Sequence, residues 1–143
     1  IGKRGLTKFK KEGDRCTPKG LFSFKNLFYR KDRIKSIKTK LKKIIIKKNM
    51  GWCDDPNSKY YNKLIKFPFS ESAERLYKNS NSYDMFLVIN YNLKNIKKNK
   101  GSAIFLHIAK GNYKPTEGCI AVSKKDFKLL LQYIKTNTKI LIF

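Results

Sequence analysis

The apolar runs of this chain are short. Met85–Ile89 is the longest, with five residues, and Ala103–Leu106 and Ile44–Ile46 are shorter still. Runs of that size build strands; they are too short for a membrane span, and a buried helix is normally longer. Met85–Asn90 and Ser102–Ile108 are apolar enough to be central strands, joined by the polar connection Asn92–Lys100 with Gly101 at its end. In Leu21–Phe28, Phe22 and Phe24 alternate with Ser23 and Lys25, the pattern of a half-buried strand. Ser36–Ile44 alternates Ile37, Thr39 and Leu41 with Lys38, Lys40 and Lys42, which predicts a strand with one lysine face. Lys139–Phe143 is expected as a terminal strand.

Helical signals are fewer. Ser123 with Asp126 makes a capping-box pattern, and Phe127, Leu130, Leu131 and Ile134 then recur at helical spacing. Glu71–Lys78, preceded by Ser70, is predicted as a second, short helix. Gly51–Pro68 is aperiodic and rich in turn formers, so it is expected to be a long ordered loop. With 143 residues, no internal repeat and no linker, the expectation is one domain over 1–143, β-rich and of the α+β class.

The formal net charge is +24, from 34 Lys and Arg against 10 acids. Such a surface attracts polyanions in general, whether nucleic acid, anionic lipid or anionic wall polymer. Arg occurs only at positions 4, 15, 30, 33 and 75, whereas specific phosphate or base readout favours the guanidinium fork. No aromatic interleaves the lysines of Ser36–Ile44 for base stacking, so no specific nucleic-acid partner is expected. The chain begins at Ile1, so a missing signal peptide says nothing about export.

Cys16, Cys53 and Cys119 are an odd set without a C-x-x-C pair, which argues against a disulfide framework and a zinc ribbon. No metal or other cofactor is expected. His107 is the only histidine. It ends an apolar strand, and the polar loop Gly111–Gly118 leads from it into Cys119. If the two flanking strands pair, thiol and imidazole lie at neighbouring strand ends. An imidazole is the usual means of activating a thiol at neutral pH. Gly118 removes a side chain where a carbonyl would approach, and its exposed backbone suits an oxyanion hole. On spacing alone, a packed histidine and an inert buried cysteine remain the alternative.

The segment Gly101–Phe143 resembles the catalytic end of the L,D-transpeptidase (YkuD-domain) family. The family pattern of a His strand, a loop and a [Ser/Thr]-x-Gly-Cys signature is matched by His107 and Thr116-Glu117-Gly118-Cys119. Thr17-Pro18-Lys19-Gly20 ahead of Phe22 is similar to an upstream family element, and Gly51-Trp52-Cys53-Asp54-Asp55-Pro56 resembles a subgroup of short members, so the likeness covers nearly the whole chain. Glu117 stands where many members have His, Ala121 where many have Arg or Asn, and the interval from His107 to Cys119 is short for the family.

The resemblance implies a mixed β-sandwich or barrel with one or two packed helices. It implies Cys119 as nucleophile, His107 as base and the Gly118 backbone as oxyanion donor. The substrate would be a peptidoglycan stem peptide, transferred through an acyl-enzyme to an amine acceptor. Thr116, Glu117, Trp52, Asp54, Asp55, Tyr91 and Phe105 are the candidates for substrate binding, with the carboxylates facing amines and the aromatics walling a groove. Two readings stand beside transfer: L,D-carboxypeptidase or endopeptidase action at the same site, and a non-catalytic basic module for polyanions. The expected setting is the bacterial periplasm or envelope, as a monomer, with anionic wall polymers as further partners of the lysine surface.

Overall fold

The fold is described for residues 1–143 by a computed structural model. Along the chain come β1 (Leu6–Thr7), β2 (Thr17–Pro18), the long β3 (Gly20–Tyr29), β4 (Lys43–Ile45), β5 (Met50–Cys53), β6 (Leu64–Lys66) and β7 (Ala73–Arg75). Then follow β8 (Met85–Ile89), β9 (Phe105–Ile108), β10 (Ile120–Val122), the helix α1 (Lys124–Tyr133) and β11 (Lys139–Ile142).

The main sheet has the order β10-β9-β8-β3-β11, with β4 also on β3. β8 lies antiparallel between β3 and β9, and all five of its residues are buried. That full burial explains the unbroken apolar run: both faces of the sheet are covered, and the two-residue period of a strand divides its side chains between them. Met85, Leu87 and Ile89, with Leu106 and Ile108 of β9, share one core with Phe127, Leu131 and Ile134 of the α1 segment. Phe86, Val88 and Phe105 belong to a second core with Met50, Trp52 and Leu76, contributed by and next to the small sheet β6-β5-β7. Each large side chain so enclosed contributes about 1.5–3 kcal/mol.

The helix starts where the capping pattern predicts. Ser123 Oγ accepts the Asp126 amide at 3.0 Å and donates to its carboxylate at 2.7 Å. The strands over Leu21–Phe28, Met85–Asn90, Ser102–Ile108 and Lys139–Phe143 form within a few residues of their expected bounds.

Three expectations are corrected. Glu71–Lys78 is not a helix: Ala73–Arg75 is extended and pairs with β5, Trp52 opposite Glu74, and Leu76 is fully buried. Tertiary pairing and that burial override a local helical preference. The predicted strand Ser36–Ile44 shrinks to Lys43–Ile45. The Thr39 hydroxyl accepts the Leu41 amide at 3.2 Å, a local turn that competes with ladder bonding. Gly51–Pro68 is a hairpin, not one loop, because β5 and β6 pair from Met50–Lys66 to Trp52–Leu64. Gly51 leaves room for the Phe67 ring, since a Cβ there would lie 2.6 Å from Phe67 Cε2.

Candidate active site

Strand alternation decides which side chains meet. In β9, Leu106 and Ile108 join the helix-side core, which sends Phe105 and His107 to the opposite face. β10 runs parallel to β9, with Ile120 opposite Leu106 and Ala121 opposite His107. Ile120 and Val122 pack on the helix side, and Cys119, one residue before β10, packs on the Phe105 side. The two strands do pair. Because they are parallel, however, Cys119 lies beside the beginning of β9, where its sulfur accepts the Phe105 amide at 3.4 Å. His107 and Cys119 line one cavity of about 480 Å³.

His107 is buried, and its Nδ1 lies 2.9 Å from the carbonyl oxygen of Ile108. A carbonyl only accepts, so Nδ1 carries the proton and Nε2 is left with its lone pair. Burial lowers the imidazole below its ordinary value. The Cys119 thiol donates to the Ala103 carbonyl at 3.2 Å. Burial first, and then the Glu74 carboxylate, push this thiol up to about 12. Both shifts favour the neutral thiol and the neutral imidazole.

The loop before Cys119 is held by Thr116. Its hydroxyl donates to the Cys119 carbonyl at 2.6 Å and accepts the Gly118 amide at 3.2 Å. A second hydroxyl, from Thr17, reaches the same carbonyl at 3.4 Å. Gly118 has φ +137°, and a Cβ there would lie 2.9 Å from the Cys16 carbonyl oxygen, so both conformation and space require glycine. With its N–H taken by Thr116, Gly118 does not present the free amide expected for an oxyanion hole. The Cys119 N–H, by contrast, has no acceptor within the chain.

The remaining candidates fall into three groups. Asp54, Thr116 and Glu117 line the cavity. Asp54 also accepts the Ser72 hydroxyl at 2.6 Å, and Glu117 pairs with Arg15 at 3.0 Å in the open. Trp52 and Phe105 do not wall a groove: they meet edge to face at 5.2 Å inside the second core. Asp55 and Tyr91 are engaged elsewhere. Asp55 accepts the Asn57 amide at 2.8 Å and closes a turn, and the Tyr91 hydroxyl donates to Lys100 O at 2.6 Å.

Several cavity residues are not among the site candidates of the sequence. Glu74, Lys78 and Tyr83 sit beside His107 and Cys119, and Glu12 comes from the N-terminal segment. The Ser102 hydroxyl is buried in the same wall without a partner. Glu74 and Lys78 are four residues apart, which in sequence reads as a helical ion pair; Glu12 carries no local signal. No group of three or more His, Cys, Asp or Glu is arranged to hold a metal ion, and no helix is long and apolar enough to cross a membrane.

The family model of the L,D-transpeptidase catalytic domain (YkuD) matches residues 1–142. No curated protein and no solved structure matches the chain.

Proposed function

Since the chain belongs to the L,D-transpeptidase catalytic-domain family, we propose that it acylates Cys119 with a peptidoglycan stem peptide and passes the acyl group to an amine. The observation that carries this reading is the shared cavity. It is lined by Cys119, whose thiol is desolvated and whose amide N–H has no partner in the chain, and by the only histidine.

A thiol near 12 leaves only about one thiolate in 10⁵ at pH 7, so the attack needs a base close at hand. Nε2 of His107 takes the proton from Sγ as sulfur bonds to the substrate carbonyl carbon. The carbonyl electron pair moves to oxygen, and the free Cys119 N–H is the donor on hand for that oxyanion. When the C–N bond breaks, His107 returns its proton to the departing amino acid. A second amine then attacks the thioester by the same steps in reverse order. Ser102 supplies a polar group near the reacting carbonyl, and Asp54 and Glu12 line the cavity for the amine that follows.

This chemistry belongs in the bacterial envelope, where stem peptides are found. A hollow lined by Lys8, Lys94, Lys97 and Lys100, none of them in an ion pair, is the place for an anionic wall polymer to rest. The deciding experiment is mass spectrometry of the protein mixed with purified muropeptides. An adduct on Cys119 followed by exchanged or cross-linked stems is expected. An adduct that yields only shortened stems means hydrolysis, and no adduct removes the reading.

A further inference from the structure

The small sheet delivers a carboxylate to a site whose thiol and imidazole come from the main sheet. Glu74 of β7 lies opposite Trp52 of β5 and lines the cavity. One of its oxygens, Oε1, accepts the Tyr83 hydroxyl at 2.9 Å and pairs with Lys78 Nζ. Tyr83 is buried, and its ring stands edge-on to the His107 ring with centroids 5.4 Å apart. Lys78 Nζ sits 4.1 Å from the centroid of that same tyrosine ring. One aromatic side chain thus touches the imidazole and binds the carboxylate. The charged groups that share the cavity with His107 are Glu12, Asp54, Glu74 and Glu117 against Lys78, Lys110 and Lys114.

We propose that Glu74, anchored by Tyr83 and Lys78, is a positioning charge that stabilises the His107 imidazolium formed during acyl transfer. The proposal rests on the Cys119–His107 reading above. Its logic lies in when the charge acts. At rest the imidazole is neutral and gains little from a carboxylate. A free thiolate would be repelled by Glu74, which is one cause of the raised thiol, so a resting thiolate–imidazolium pair gains on one member what it loses on the other. Once sulfur has bonded to carbon, the negative charge has moved to the former carbonyl oxygen. The attraction between Glu74 and the protonated ring then stands largely unopposed. Stabilisation that appears along the reaction and not before it raises the rate. Glu74 favours the charged imidazole, and Lys78 and Lys110 oppose it. Holding Lys78 on Glu74 therefore tempers the effect without removing it.

The single histidine makes the test direct, because an imidazole NMR titration reads His107 alone. In Glu74→Gln the imidazole midpoint should fall by about one pH unit. The single-turnover rate of Cys119 acylation at pH 7 should fall about tenfold, with stem-peptide affinity nearly unchanged. Glu74→Asp should recover part of both, and Tyr83→Phe, which keeps the ring, should give a smaller drop in each. An unchanged midpoint and rate in Glu74→Gln would overturn the proposal. So would a lost rate with an unchanged midpoint, which is the mark of a purely structural role. If Glu74→Gln does not fold, Tyr83→Phe carries the same comparison. If the wild-type protein forms no adduct, the acyl-transfer reading fails, while the imidazole midpoints still decide whether Glu74 acts on His107.

Discussion

The side-chain oxygen of Asn62 accepts the amide N–H of Ala103 at 3.0 Å, and the carbonyl of that same Ala103 receives the Cys119 thiol. Asn62 is buried, with φ +56°, and its oxygen also accepts the Trp52 indole at 2.9 Å, while its nitrogen donates to Asn92 O at 2.7 Å. One carboxamide therefore links the small sheet, the Asn92 turn and the residue that holds the Cys119 thiol.

Asn62→Asp keeps the acceptor and loses the donor, and it sets a charge against the Asn92 carbonyl. Asn62→Ala strands the Trp52 and Ala103 N–H groups. Each change should cost about 1–3 kcal/mol or more, since buried partners are left unmatched. Chemical denaturation should show the loss, and acylation of Cys119 should slow because Ala103 is no longer fixed. Wild-type stability in both variants would mean that the links carry no weight.

The three cysteines should separate cleanly. Cys119→Ala should abolish acylation and leave the fold intact. Cys53 is fully buried, so Cys53→Ala should lower the midpoint of unfolding modestly with chemistry preserved. Cys16→Ala should change little in either. Mass spectrometry of the three variants with muropeptides checks this, and an adduct surviving in Cys119→Ala would assign the nucleophile elsewhere.

Much of this arrangement is legible in the sequence, and the missing parts share a cause. The apolar runs at Met85–Ile89 and Ala103–Leu106 announce central strands because each is covered on both faces. His107 and the Thr116–Cys119 signature lie close in the chain, so a local reading reaches them. Glu74 reaches the site through pairing of β5 with β7, Asn62 from the loop of the β5–β6 hairpin and Tyr83 from the turn before β8, placements that no local pattern encodes. The same pairing undid the expected helix at Glu71–Lys78. Trp52 and Phe105 looked like groove residues because an aromatic beside a motif reads alike whether it faces solvent or core.

The pH dependence follows from two opposite shifts. His107 is lowered by burial, so the folded protein binds fewer protons than the unfolded chain between the lowered value and the ordinary imidazole value of about 6.5. Its contribution to stability is complete above that ordinary value and is lost as pH falls through the window. Cys119 is raised to about 12, so the folded state keeps a proton that the unfolded chain releases near 9. That contribution is complete below the ordinary thiol value and is lost as pH rises towards 12. Denaturation midpoints should therefore decline on both sides of neutrality. The part of the acid-side decline just below the ordinary imidazole value should vanish in His107→Gln, and the alkaline-side decline should weaken in Cys119→Ala. At limiting substrate, acylation should rise with pH through the lowered imidazole value. A rate that is flat across the imidazole range would deny His107 the role of base.

Transfer and hydrolysis share the acyl-enzyme, so the distinction lies in what reaches the thioester next. The chain carries only 10 acids, yet Glu12, Asp54, Glu74 and Glu117 all line this one cavity. In so basic a protein, that gathering favours a protonated amine arriving at the site. Glu74 is held by Tyr83 and Lys78, and Glu117 faces Arg15. Asp54 and Glu12 have only hydroxyl side-chain partners, Ser72 and Tyr61, so no Lys or Arg of the chain pairs with them. Asp55 caps its turn away from the cavity, so it should not matter. We therefore expect Asp54→Asn, and more strongly the double change with Glu12→Gln, to shift products from exchanged or cross-linked stems towards shortened ones. The rate of Cys119 acylation should persist, and Asp55→Asn should leave the ratio untouched. Product ratios measured by chromatography over a range of acceptor amine concentrations decide the matter. Equal ratios in wild type and the Glu12/Asp54 double variant at every concentration would show that these carboxylates do not recruit the acceptor.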